Sequence, residues 1–156
     1  MFMNTRVVAI SILGLLLSGA DRIHGQGFPD ERLAKVKSLK CEFTTMSRGT
    51  WIKGEPRVET QAVKVTIAFI KINADEGTAD AIGAFDPSEI IVRLSNGTLH
   101  LMQSYREGPL YITTVWPKET HNGFLQAVHT RHEFTEVSLP GFTSRPEQYY
   151  GECAPN

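Results

Sequence analysis

Residues 89–137 read EIIVRL-SNGT-LHLMQSY-REGP-LYITTVW-PKETHNG-FLQAVHTRHEFTEV, four β-prone runs separated by turn-forming residues. Asn96-Gly97 between apolar runs is the strongest short-range hairpin signal, because a two-residue type I′ turn needs φ > 0 at both central positions. That turn sets Ser95 opposite Thr98, Leu94 opposite Leu99, Arg93 opposite His100, Val92 opposite Leu101 and Ile91 opposite Met102. Strand side chains alternate with period two, so Ile90, Val92, Leu94, Leu99 and Leu101 share one face, which is the expected core face.

A second tight turn at Glu107-Gly108 extends the pattern. It sets Tyr105 against Leu110, Gln103 against Ile112, Leu101 against Thr114 and Leu99 against Trp116. Beyond this point the pairing needs a further assumption. A tight turn at Asn122-Gly123 would draw Pro117 into the ladder, where it cannot donate a hydrogen bond. The reading adopted therefore ends the third strand at Pro117 and uses a longer loop, which turns Val128, Thr130, His132 and Phe134 inward. An antiparallel meander is the organising feature.

Outward from the meander, residues 61–72 form the most β-prone run, with Val63, Val65, Ile67 and Phe69 on one face. Thr66, Ala68, Ile70 and Ile72 occupy the other, so both faces are expected to be covered. Residues 73–77 make a turn and residues 78–85 return as its partner. The oxygens of Asn73, Asp75 and Glu76 lack the spacing of a calcium loop, and an Asx-type turn is the expectation. Residues 39–46 read as the first strand, with Leu39, Cys41 and Phe43 on one face.

Cys41 and Cys153 are the only cysteines. In an exported chain two cysteines pair, which would set the first and last strands side by side. Export is expected from residues 1–20. Arg6 supplies a positive start, residues 7–17 an apolar run too short to span a bilayer, and Ser18-Gly19-Ala20 a small-residue cleavage site. Cleavage there removes 20 of the 156 residues and one basic charge. Residues 21–37 are a polar lead-in with a possible short helix from Pro29, and residues 38–156 are one β-domain. No later stretch could cross a membrane as a helix.

The 16 basic and 17 acidic residues give a formal charge of −1, which offers no basic footprint for nucleic acid. The sequence has no G-x-S-x-G elbow, no phosphate loop and no dinucleotide fingerprint. Asn96-Gly97-Thr98 matches a glycosylation sequon, although the turn already accounts for it.

His129, His132 and Glu133 invite a metal reading, but two histidines three apart on a strand point to opposite sides. No metal or cofactor is expected. His129, Arg131 and Glu133 share a face, expected to be an exposed salt-bridged ladder.

Gly49-Thr50-Trp51 resembles the Gly-x-Trp motif of lipocalins, with the difference that lipocalins carry it at the start of their first strand and here it ends one. The runs C-E-F at Cys41, G-T-W at Gly49, G-T-A at Gly77, T-T-V-W at Thr113, A-V-H-T-R-H at Ala127 and P-E-Q-Y-Y-G-E-C at Pro146 resemble a group of small secreted bacterial β-proteins without an assigned activity. That resemblance implies export and a single β-domain, and no chemistry.

The expected fold is all-β, about eight antiparallel strands as a β-barrel or a two-sheet sandwich, secreted or periplasmic. The leading functional expectation is binding of a small apolar molecule in a pocket lined by Leu101, Ile112 and His132. The second is a barrel enzyme, a hydrolase or isomerase, using His132, Tyr105 and Gln103. The third is an envelope interaction domain docking through residues 142–150.

Overall fold

The computed structural model describes residues 31–83, 87–106, 108–133 and 145–156. The expected export signal and cleavage site, most of the lead-in, and the expected docking segment up to residue 144 lie outside the described residues.

The chain forms eight antiparallel strands: β1 (Leu39–Ile52), β2 (Glu55–Asn73), β3 (Thr78–Ile82), β4 (Ser88–Ser95), β5 (Thr98–Ser104), β6 (Leu110–Glu119), β7 (Leu125–His132) and β8 (Glu147–Pro155). Each strand pairs with its neighbours in sequence, and β1 also pairs with β8, so one sheet closes on itself as a ring. The two-sheet sandwich is thereby excluded. Closure leaves no open edge along the β1–β8 seam. The Cys41–Cys153 disulfide lies on that seam, between directly paired residues.

The first meander hairpin has the expected register at all five pairs, with Asn96 and Gly97 both at positive φ. The second does not. The Tyr105 amide donates to the Pro109 carbonyl and the Gly108 amide to the Tyr105 carbonyl, so the turn contains one residue more than a two-residue turn. Leu101 consequently meets Thr113, and Leu99 meets Val115. Because the side-chain period is two, this single-residue slip exchanges the faces of β6. Tyr111, Thr113 and Val115 point inward, while Ile112, Thr114 and Trp116 point outward.

The same exchange passes to β7. Pro117 does not end β6, which runs on through an irregularity between Val115 and Glu119. The inward residues of β7 are Leu125, Ala127 and His129, with Val128, Thr130 and His132 outside. The ladder His129–Arg131–Glu133 does share a face, but that face belongs to the interior: His129 and Glu133 are buried.

β1 and β2 are longer than their sequence signals suggest. They meet through Lys53-Gly54, both at positive φ, and the paired residues from Gly49 to Val58 project beyond the ring as a two-stranded ribbon. Gly-x-Trp thus lies within β1, with Trp51 on the ribbon and exposed. On the other side of β2, Lys71 at φ 53 interrupts the pairing with β3, and this brings Ile72 into the core. Asn73 Oδ1 accepts from the amides of Asp75 and Glu76, the expected Asx turn.

Successive strands run in opposite directions, so the last residues of β1, β3, β5 and β7 and the first residues of β2, β4, β6 and β8 lie at one end, here called the loop end. The opposite end is capped by a 3-10 turn, Leu33–Lys35, and the start of the short helix expected from Pro29 lies outside the described residues. Leu33 is fully buried there, and Arg32 ties the turn to β6 through Glu119 and the Pro117 carbonyl. Between the ends, Leu39, Cys41, Phe43, Val92, Leu99, Leu101, Val115 and Cys153 are at most 2% exposed, so side chains fill the middle of the ring. Among the described residues, no helix is long and apolar enough to cross a membrane.

Candidate functional site

The pairing of β5, β6, β7, β8 and β1 places two rows of residues at the loop end. One row runs Gln103, Tyr111, Arg131, Glu147, Arg48, and the row beneath it runs Leu101, Thr113, His129, Tyr149, Met46. Period-two alternation turns all ten toward the interior. The lower row begins the apolar filling, and the upper row is polar and charged.

Two buried carboxylates belong to this layer, and each is occupied. Glu147 Oε1 accepts a 2.7 Å hydrogen bond from Arg48 Nε and lies 2.7 Å from Arg48 Nη2 in the same ion pair, and its Oε2 accepts from the Tyr149 hydroxyl. Glu133 Oε1 accepts the Tyr111 hydroxyl. Both carboxylates are at most 3% exposed, where a lone charge would be costly, so these partners are what permits their burial. Burial, then the bond to the neighbouring carboxylate, pushes the Tyr149 hydroxyl up to about 12 and raises that of Tyr111 further. Burial likewise raises Tyr105. These phenols are hydrogen-bond donors, not proton sources, at ordinary pH.

Arg131 occupies the centre. Its guanidinium carbon lies 4.9 Å from the Tyr149 ring centroid and 5.3 Å from that of Tyr111, so an aromatic ring flanks it on each side. Its Nε lies 3.4 Å from His129 Nε2. The other His129 nitrogen, Nδ1, is 2.9 Å from Thr113 Oγ1. Burial, with the Arg131 charge beside it, holds the His129 pKa down at about 3. The imidazole is therefore neutral, and the arrangement assigns its proton to Nδ1, donated to Thr113, leaving Nε2 to accept from Arg131. The rings of Phe43, Tyr111 and Tyr149 surround it at 5.7–5.8 Å.

Of the residues expected to form a site, Tyr105 and Gln103 do lie at this end. The Tyr105 ring packs edge-on to Tyr111 at 5.2 Å, and Gln103 Nε2 donates to Ser88 Oγ across β4–β5. His132 is exposed on the outside of β7, and the histidine that joins the cluster is His129. The trio His132, Tyr105 and Gln103 is thus not assembled. Leu101, Ile112 and His132 do not line one pocket either: Leu101 is packed in the interior, while Ile112 and His132 face out.

Arg48, Tyr111, Glu147 and Tyr149 went unrecognised in the sequence, and Glu133 was expected on an exposed face. A signal existed for two of them. Cys153 must face inward to reach Cys41, and counting back by twos along β8 turns Gly151, Tyr149 and Glu147 inward as well.

Two surface grooves lie elsewhere. One, of about 490 Å³, runs over the outside of β6–β8 between Trp116 and Tyr150. The other, of about 510 Å³, lies beside the 3-10 turn against Leu125 and Pro155. Among the described residues, no group of three histidine, cysteine or acidic side chains is placed to hold a metal ion. No protein-family model, curated protein or solved structure matches the chain.

Proposed function

We propose that the protein is an exported β-barrel that binds a small organic molecule at its loop end. The observation that carries this reading is the convergence of Tyr105, Tyr111, Arg131, Tyr149 and His129 above a filled apolar middle. Aromatic faces with a few fixed polar groups are the usual composition of a small-molecule site. The ligand rests on this layer and does not enter the middle of the barrel, which its own side chains occupy. It is therefore amphipathic rather than wholly apolar. The disulfide supports export, since such bonds persist in oxidising compartments.

Binding is favoured over catalysis by the state of the histidine. A general base works best with a pKa near the operating pH, and His129, held near 3, is far from it. Its two nitrogens are already engaged with Thr113 and Arg131.

Native mass spectrometry of protein purified from the periplasm, followed by NMR titration with a fragment library, tests the proposal. A co-purified small molecule, or shift changes centred on Tyr111, Arg131 and Tyr149, is the expected result. An empty protein whose loop-end resonances no fragment moves would overturn it.

A further inference from the structure

From the occupancy of the charged groups at the loop end, we infer that Arg131 is the seat for a carboxylate, so that the ligand is an organic monocarboxylic acid. This rests on the loop-end binding site proposed above and names the chemistry of its ligand.

Four charged side chains belong to the layer, and three have their partners. Arg48 is paired with Glu147, and Glu147 also takes the Tyr149 hydroxyl. Glu133 takes the Tyr111 hydroxyl. Arg131 alone meets no carboxylate within 4 Å among the described residues: its contacts are two tyrosine rings and one neutral imidazole. A guanidinium has five N–H donors, and among the described residues only the Nε donor is engaged here. The Tyr111 and Tyr149 rings lie 5.3 Å and 4.9 Å from the guanidinium carbon, and the donors on Nη1 and Nη2 have no hydrogen-bond partner among the described residues. Such donors are those with which arginine grips a carboxylate through two parallel bonds.

His129 acts as a positioning residue. By accepting a hydrogen bond from the Nε–H it fixes the rotation of the guanidinium about its own axis. Because its pKa lies far below neutrality, it does so without adding a second positive charge.

The surroundings also set the charge of the ligand. Glu133 and Glu147 flank the seat, so a dianion such as a phosphate ester would meet two like charges. A monocarboxylate brings one negative charge to Arg131, the cation of this layer that meets no carboxylate among the described residues. Tyr105, edge-on to Tyr111 at 5.2 Å, offers an aromatic surface for an apolar body.

The test uses the full secreted chain and three probes, 4-phenylbutyrate, 4-phenylbutyramide and a phenylalkyl phosphonate, titrated by NMR with observation of the Arg131 Nε–H resonance. The expected result is that the carboxylate binds at least tenfold tighter than the amide and moves the Arg131 resonance. Arg131→Gln, checked for native fold by its spectrum, should lose at least tenfold in carboxylate affinity and leave amide affinity unchanged. Equal affinity for acid and amide at the loop end overturns the carboxylate seat while the binding site itself stands. A phosphonate that binds more tightly than the acid overturns the monoanion preference. Failure of all three probes to move any loop-end resonance counts against both readings. The comparison of acid with amide on the unaltered protein remains decisive if Arg131→Gln does not fold.

Discussion

His129 is neutral because it is buried, and this makes the fold sensitive to acid. Its folded pKa, about 3, lies below its ordinary value of 6.5, so as pH falls protons bind the unfolded chain first. The stability that depends on this group is complete above about pH 6.5. It declines by up to about 1.4 kcal/mol per pH unit between 6.5 and 3. Urea midpoints at pH 7.5, 6 and 5 should therefore fall with pH in the unaltered protein, and less steeply in His129→Gln. Parallel slopes would show that His129 is not the group responsible. A different constraint acts at Gly151. A Cβ there would sit 2.7 Å from Phe43 Cα and closer still to the Glu42 carbonyl oxygen, both backbone atoms at the irregularity in β1. Neither can swing aside as a side chain would. Gly151→Ala should cost about 2 kcal/mol or more, read as a lowered denaturation midpoint; an unchanged midpoint would mean that the seam relaxes freely.

Among the elements, the β1–β2 ribbon carries a correctable strain. Lys53 stands at φ 54 in the left-handed region, where a residue other than Gly, Asn or Asp loses about 1 kcal/mol. Asn-Gly is the preferred pair for this turn, so Lys53→Asn should stabilise the protein by up to about 1 kcal/mol in chemical denaturation, and a lower midpoint would refute the turn assignment. The turns also explain what the sequence could and could not disclose. Asn96-Gly97 dictates its own geometry, and the first hairpin was legible to the residue. Residues 105–109 contain Gly and Pro but no such pair, and a turn one residue longer looks the same at the level of composition. That one residue exchanged the faces of β6 and β7, sending His132 out and His129 in. The candidate site was hidden for this reason: the side of the sheet that His129, Arg131 and Tyr111 occupy depends on a count that local chemistry does not supply. The disulfide would have fixed the β1 and β8 part of it, since Cys41 and Cys153 anchor the parity of those two strands independently of every turn. Interior Glu133 and Glu147 were hidden by a further fact, that a buried carboxylate is recognised by its partners, which lie on other strands.

For the molecule as a whole, the seam between β1 and β8 is, among the described residues, the only strand pairing between elements distant in sequence. The disulfide stands on it with both cysteines fully buried. Under native conditions a thiol reductant should leave the bond intact, and mass spectrometry after alkylation should find no labelled cysteine. In denaturant the bond becomes accessible, and the reduced chain should refold with a lower midpoint. Over a separation of 112 residues the chain-entropy model sets an upper loss of roughly 4–5 kcal/mol. Ready labelling of the native protein would contradict the burial of the seam.

The seam also brings Ser38 and Asn156 together, joined by two hydrogen bonds: the Ser38 hydroxyl to the Asn156 carbonyl at 2.6 Å, and the Asn156 amide to the Ser38 carbonyl at 3.3 Å. Spatial order and sequence order therefore coincide all the way round, and the arrangement is cyclic: strand one is first only by convention. The eight strands behave as a loop of beads in which any tight hairpin turn is topologically equivalent to the point where the domain opens and closes.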